Sequence, residues 1–395
     1  MRILHTSDWH LGRSFHGVGM LEAQRDFLAR LVETVREHSV DAVLVAGDVY
    51  DRALPGVDVV RLLDEALAAV TGAGAQVIIT SGNHDSAARL GFGGRVLERG
   101  GVHLRTRPAD LDRPVLLGDA SEQGGGQGAG PVAVYGIPYL EPRLAAAELG
   151  VDRPSHEAVL AEAVQRIRAD VSRRAADGAP VRPVVMAHAF VSGGLSSDSE
   201  RDLAVGGVGA VPLDLFDGFA YTALGHLHGR QVLAPATRYS GSPLAYSFSE
   251  AGQDKGAWLL DFGEGFSPAV EPVSWPQPRR LAVLRGELDQ LLADPGLAWA
   301  EQAWCQVTLT DRERPARAMD RLRQRFADTL VLSFDPPPGA NGPVQTYSQR
   351  MARAADDLDI CCGFLEHVRS RAADDTERTL IADVLAAVQA EEVTA

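Results

Sequence analysis

Short, nearly unbroken apolar runs alternate with longer stretches in which apolar residues recur every three or four positions. That pattern predicts strands over residues 3 to 6, 42 to 46 and 76 to 80. Between them it predicts helices over 21 to 37, with Phe27, Leu28, Leu31 and Val35 on one side, and over 57 to 70. Apolar strands separated by helices imply a sheet covered on both faces. Weaker strands are expected at 102 to 104 and 115 to 117, then a Gly-rich surface loop at 121 to 131. A strand at 132 to 137, a helix at 157 to 175 and a strand at 183 to 187 follow. Residues 192 to 209, rich in Gly and Ser, read as a long loop at the active site. Strands are expected again at 219 to 224, 238 to 243 and 257 to 262, the last two with a turn between them.

Proline density rises near 275 to 278 and marks a break. Beyond it, strands at 281 to 285, 304 to 309 and 330 to 334, with helices at 288 to 293 and 316 to 326, make a small α+β domain. Pro336 to Gly339 ends that domain, and 340 to 347 reads as linker. The tail carries two helical patterns, one with Phe364, Leu365 and Val368, the other with Leu380, Ile381, Val384, Leu385 and Val388. Such short amphipathic helices need a surface to bury their apolar face, either the preceding domain or another protein. The expected division is therefore 1–275, 276–338 and 339–395.

With 395 residues the chain is long enough for two or three domains. It has no apolar run long enough to span a bilayer, and its start lacks the pattern of a signal peptide. Cys305 is isolated and Cys361 and Cys362 are adjacent, which suits a reducing compartment, so the expected location is cytoplasmic. A formal charge of -15 argues against general nucleic-acid binding without excluding a local site. Of the 38 lysines and arginines only Lys255 is a lysine, so phosphate contacts fall to arginine, backbone amides or metal.

The candidate chemistry lies directly after the predicted strands. Ser7-Asp8-Trp9-His10, Gly47-Asp48-Val49-Tyr50-Asp51, Gly82-Asn83-His84-Asp85, a single His188, and Gly225-His226-Leu227-His228 each follow one. Loops at the carboxyl ends of strands in an α/β sheet converge on one edge, so these residues are expected to meet there around two metal ions. Imidazole nitrogen with carboxylate oxygen suits divalent first-row metals. Asp48, central in the series, is the natural bridge, because two ions about 3.5–4 Å apart need a shared ligand. His5, inside the first strand, is expected to be a satisfied core or supporting histidine. Gly47, Gly82 and Gly225 are expected to serve tight turns.

In that order the motifs resemble the calcineurin-like metallophosphoesterases. The longer stretches Ser7 to Gly12 and Gly225 to His228 resemble the DNA double-strand-break nuclease subunits within that family. The resemblance implies an α/β fold, a β-sandwich flanked by helices, with a small α+β capping domain and a C-terminal helical tail. It assigns Asp8, His10, Asp48 and His228 to one metal, and Asp48, Asn83, His188 and His226 to the other, both most simply manganese. His84 would face the scissile phosphate as the catalytic residue. Asp51 and Asp85 would orient histidines or form turns, and Arg13, Arg52 and Arg89 would be candidates for DNA contact. The implied activity is double-strand 3'-5' exonuclease and single-strand or hairpin endonuclease. Implied partners are an SMC-like ATPase, in a heterotetramer of two plus two, double-stranded DNA ends and hairpins, and a second copy of the chain. A stand-alone small-molecule phosphoesterase is the competing reading, and a scaffold without chemistry a third.

Overall fold

The computed structural model describes residues 1–118, 130–200, 209–337, 356–369 and 371–394. Most of the expected Gly-rich loop, the end of the expected active-site loop and the expected linker lie outside them. The chain divides into two compact units, Met1–Pro278 and Arg279–Ala395.

The first unit contains, among the described residues, two six-stranded sheets. In the first sheet Arg2–Thr6, Ala42–Ala46, Gln76–Thr80 and Val102–Arg105 are parallel neighbours in that order. Gly256–Asp261 and then Ala269–Ser274 add antiparallel on the side of Arg2–Thr6. The second sheet repeats the plan: Val132–Gly136, Arg182–His188, Tyr221–Gly225 and Thr237–Tyr239 are parallel, with Val115–Leu117 and Gln231–Ala234 antiparallel at the edges. Ile3, Leu44, Ile78, Val134, Val184, Met186, Tyr221 and Trp258 fill the space between the sheets. The central strands are apolar at almost every position because one face meets this layer and the other meets helices. Leu21–Glu37 and Val57–Gly72 bury Phe27, Leu28, Leu31, Leu62 and Leu63. His156–Ala176 packs Val159, Leu160, Val164 and Ile167 against Tyr135, Val185 and Leu224 of the second sheet. Ser155 caps that helix by accepting the Ala158 amide at 3.1 Å.

Several short elements carry no periodic signal in the sequence. Ser14–Phe15 and Val18–Gly19 form a small hairpin, and Pro142–Leu149 is a helix. Gln231–Ala234 and Ala269–Ser274 are edge strands with exposed or half-buried residues throughout. The strand expected at 238 to 243 is only Thr237–Tyr239. Beyond it the chain turns at Gly241, which has φ 73° and lies so close that an added Cβ would stand 2.7 Å from the His228 carbonyl oxygen.

In the second unit Leu281–Gly286, Trp304–Leu309 and Thr329–Phe334 are parallel, with helices Leu288–Ala293 and Ala318–Arg323 in the crossovers. The expected α+β unit is thus refined to strand-helix alternation around a parallel sheet. Its core is Leu284, Leu288, Val307, Leu309, Leu322 and Phe326. Helices Asp357–Arg369 and Asp375–Thr394 follow as expected from the tail's two patterns.

Candidate metal centre

Five parallel strands end at one rim of the sandwich. Three belong to the first sheet and release Asp8 and His10, Asp48 and Asp51, and Asn83 to Asp85; two belong to the second and deliver His188, then His226 and His228. Asp8, His10, Asp48, His188, His226 and His228 are buried, and Asn83 and His84 are half-buried.

The loops are stitched by their own backbone. The Asp8 amide donates to the Gly47 carbonyl at 3.1 Å, and the His10 and Leu11 amides donate to Asp48 and Val49 at 2.9 Å each. Those bonds go with left-handed backbone at Asp8 (φ 52°), His10 (φ 44°) and Asp48 (φ 49°), and His226, whose amide bonds the Asp8 carboxylate, is also at positive φ (106°). Asp and His tolerate this region better than most residues, yet each instance costs about 1–3 kcal/mol. A single core aliphatic removed from water contributes about 1.5–3 kcal/mol, so the packed strands behind the rim offset the strain. Gln24, reaching from the helix beneath, donates to the His10 carbonyl at 2.8 Å and accepts the Gly12 amide at 2.9 Å.

Glycine is required beside the ligand candidates by space as well as by turn. A Cβ on Gly82 would stand 2.1 Å from Asp48 Oδ1, and one on Gly225 would stand 1.9 Å from the Ala46 carbonyl. Gly47 has φ 86°, and a Cβ there would also collide with the His188 ring at 2.3 Å. The tight-turn expectation therefore holds at Gly47, while Gly82 and Gly225 serve close approach.

Ligand atoms crowd together in three groups, Asp8 with His10 and His228, His10 with Asp48 and His84, and Asp8 with Asp48 and His188. In each, every ligand atom lies within 4.8 Å of the others. Asp48 Oδ2 is 3.6 Å from His10 Nε2 and 3.3 Å from His188 Nε2, so one carboxylate stands between imidazoles of the two sheets. Asn83 Oδ1 is 3.0 Å from His188 Nε2. His226 joins none of the three groups; its ring lies 5.2 Å from that of His188, and its amide donates to both Asp8 oxygens at 3.1 Å.

The donor set fits divalent cations. His188 Nδ1 donates to the Ala46 carbonyl at 2.9 Å, which directs Nε2 towards Asp48 and Asn83. His10 Nε2 and His228 Nε2 face each other at 3.1 Å. Either one of the two nitrogens carries the proton of an N–H···N hydrogen bond, or both turn lone pairs towards a shared cation. His10 Nδ1 and His226 Nδ1 are buried and have no hydrogen-bond partner among the described residues. Burial pushes the Asp8 carboxyl up to about 6 despite the neighbouring imidazoles of His188 and His228. Burial also opposes charge on Asp48, but His188, His10 and His84 outweigh it and hold that carboxyl well below the usual range. At His188 burial disfavours the cation, yet Asp48 and Asp8 win and raise it to about 9. Burial lowers His226 to about 3 and takes His10 well below its ordinary value. The rim thus keeps positive charge at its centre, as a cluster of buried carboxylates demands.

The expected supporting residues have distinct tasks. Asp85 touches no histidine; it accepts the amides of Val49 (3.1 Å), Tyr50 (2.9 Å) and Gly82 (2.9 Å), tying two ligand loops together. Asp51 orients His84 through its main-chain oxygen, which accepts from Nδ1 at 2.9 Å, while its carboxylate lies 3.8 Å from His10 Nδ1. Arg13 lies 3.8 Å from Asp51 and over the Tyr246 ring, and exposed Arg52 lies 3.7 Å from Asp51. Arg89 donates to the Ala53 carbonyl at 3.2 Å. His5 is a core histidine, bonded to the Tyr221 hydroxyl at 3.0 Å and the Leu224 carbonyl at 3.2 Å, with burial lowering it to about 3.

Other contributors were given no role by the sequence. Ser7 donates to Asp8 Oδ2 at 2.5 Å, and the Tyr246 hydroxyl donates to the Trp9 carbonyl at 2.5 Å. Glu200 accepts the His228 amide. Behind His228 stand Ser199, Glu250 and Lys255, all but the serine fully buried. Ser7, inside the first motif, and Lys255, as the lone lysine, carried a signal that sequence reading could have followed; Tyr246, Ser199, Glu200 and Glu250 did not.

Residues 1–134 match the family model described as calcineurin-like phosphoesterase. Residues 277–368 match that of the type 5 capsule protein repressor C-terminal domain. The chain is 40% identical over 291 residues to SbcD of the nuclease SbcCD from Rhodobacter capsulatus, covering 70% of each chain. Two solved structures are similar at 13% identity and a TM-score of 0.39. One is a protein of Thermus thermophilus, covering 69% of this chain and 98% of that one; the other is a dimetal phosphatase from Danio rerio, covering 70% and 99%. Extended identity to the nuclease protein, with both family models matched in sequence order, means that the chain belongs to the SbcD family of calcineurin-like phosphoesterases.

Proposed function

We propose that the chain is the nuclease subunit of an SbcCD-type complex, cutting DNA phosphodiesters at a two-metal centre. The observation that carries this reading is the approach of His10 Nε2 to His228 Nε2 at 3.1 Å beside the buried Asp8 and Asp48, a donor set assembled for cations. Asp8, His10, Asp48 and His228 hold one ion, and Asp48, Asn83, His188 and His226 the other, with manganese the resident metal. When bound, the ions neutralise charge at phosphorus and activate the attacking water.

The protein's own groups do the rest. Asp48, between the two imidazole sets, fixes the separation of the sites. His84, with Nδ1 donating to the Asp51 carbonyl, would face the scissile phosphate through Nε2 and, in its imidazolium form, would hand the Nε2 proton to the departing sugar oxygen. Arg13 and Arg52, each within ion-pair distance of Asp51, meet phosphates of the duplex in this reading, and Arg89 extends that set. The substrates are double-stranded ends, degraded 3'-5', and hairpins or single strands, cut internally.

Residues 276–338 form a cap that engages DNA, and the tail docks on an SbcC-type SMC-like ATPase in a two-plus-two assembly. Leu380, Val384 and Val388, spaced four apart on the last helix, are exposed, which supports a partner there. Exposed Leu54, Val57, Phe92 and Val96, in segments flanking the ligand loops, support a second copy of the chain. No described helix is long and apolar enough to cross a membrane, and a cytoplasmic location follows from the proposed DNA substrate.

Purified chain with manganese, offered blunt duplex, hairpin and p-nitrophenyl phosphodiesters with and without the ATPase, tests the reading. End degradation and hairpin opening that respond to the ATPase are expected. Efficient p-nitrophenyl turnover with intact duplex ends would favour a small-molecule phosphoesterase instead.

A further inference from the structure

Behind His228 runs a chain of buried polar contacts that ends on the only lysine. His228 Nδ1 lies 2.9 Å from Ser199 Oγ, whose hydroxyl donates to Glu250 Oε1 at 2.6 Å. Glu250 Oε2 accepts from Lys255 Nζ at 2.5 Å. The same ammonium donates to the His228 carbonyl at 2.8 Å, to Gln253 Oε1 at 2.8 Å and to Ser242 Oγ at 3.0 Å. Glu250 and Lys255 are 1% and 3% exposed.

We propose that Glu250 and Lys255 are positioning residues for His228, gripping its ring through Ser199 and through the Glu250 carboxylate 3.3 Å from Nδ1, and its main chain through Lys255, so that Nε2 is presented to the metal centre. With the serine proton committed to Glu250, Nδ1 must be the donor in the contact with Ser199, which leaves Nε2 as the lone-pair nitrogen. Lys255 holds both ends of the same residue, since it bonds the His228 carbonyl and the carboxylate that anchors the imidazole. A buried ion pair adds little net stability compared with well-packed apolar residues, so folding alone does not call for a charged pair here. Orientation of a ligand does. The site also suits lysine rather than the arginine used at every other cationic position: four acceptors surround one point, which fits a compact ammonium and not a planar fork.

The inference rests on the reading of His228 as a metal ligand, and the test separates the two. Manganese binding to the full chain is measured by titration calorimetry and electron paramagnetic resonance, alongside thermal melting, for K255M/E250L, Ser199→Ala and His228→Ala. The apolar double variant removes both charges together, so neither is left buried alone, and is expected to melt below the parent because the His228 carbonyl, the Tyr246 amide and Ser199 lose these partners. It should bind manganese about 10- to 100-fold more weakly at one site, with the other unchanged. Ser199→Ala, in a half-buried segment, should weaken the same site in a folded protein and decides the matter if the double variant does not fold. His228→Ala should abolish that site. Two unaltered manganese affinities in either positioning variant would overturn the proposal while leaving the ligand reading intact. Unaltered binding in His228→Ala would overturn both.

Discussion

The two sheets contribute to the rim in different ways. The first supplies both carboxylates, and its loops are braced by main chain: amides of Asp8, His10 and Leu11 pair with the neighbouring loop, and Asp85 gathers three more. The second supplies three imidazoles, and behind His228 the bracing is done by side chains, Ser199, Glu200, Glu250 and Lys255. Main-chain bracing forces left-handed turns and close glycine contacts, so it writes itself into short local motifs. Side-chain bracing draws on residues far apart in sequence and leaves no such trace.

Replacing Asp48, which stands between the two halves, should have the largest effect. Asp48→Ala is expected to lose both bound metals and all phosphodiesterase activity, read by metal analysis of the dialysed protein and by duplex degradation. His228→Ala, in the second half alone, should lose one. Retained cleavage in the Asp48 variant would end the two-metal reading. His84→Ala comes next: full metal content with turnover lowered about 10²- to 10⁴-fold, a split that metal analysis and kinetics resolve together.

Asp85→Ala strips the carboxylate that ties three amides of the first-sheet loops. Leaving its amides without an acceptor should cost about 1–3 kcal/mol in denaturant unfolding and weaken metal binding at both sites, whereas disturbing the second-sheet brace should affect only one. Equal effects from both would erase the distinction between the halves.

The smallest effect is the pH response of metal-free protein. His188, raised from 6.5 to about 9, and His228, also raised, bind protons more tightly folded than unfolded, Asp48 and Glu250 respectively overcoming the opposing burial. The His188 contribution is complete below about 6.5 and is lost as pH climbs towards 9, and the His228 contribution is likewise lost as pH rises above its ordinary value. Melting in chelator should therefore fall across that window, and saturating manganese should remove the decline, because metal replaces the proton. A flat metal-free profile would remove the argument that this rim holds positive charge.

How much could be read beforehand follows the same division. The helix at 21 to 37 and the strands at 42 to 46 and 76 to 80 are found where apolar spacing places them, since each is buried against a helix or strand layer on a regular period. The edge strand Ala269–Ser274, with Glu271 and Pro272 in its middle, has no buried face to impose a period. Likewise the strand expected to run on to Pro243 stops at Tyr239, because Gly241 must turn beneath the His228 carbonyl. Asp8, His10, Asp48, Asn83, His84, His188, His226 and His228 could each be picked out from a turn following a strand. That Asp85 binds amides instead of a histidine, and that Glu250 stands behind His228, could not.

The sequence alone determined which acidic and imidazole side chains sit at strand ends, because strand periodicity and turn-forming residues act over a few neighbouring positions. Tertiary structure alone decided that two sheets meet face to face, so that Asp48 lies between His10 and His188, and that the lone lysine lies behind His228. Those placements depend on packing between segments up to two hundred residues apart, where no local preference reaches.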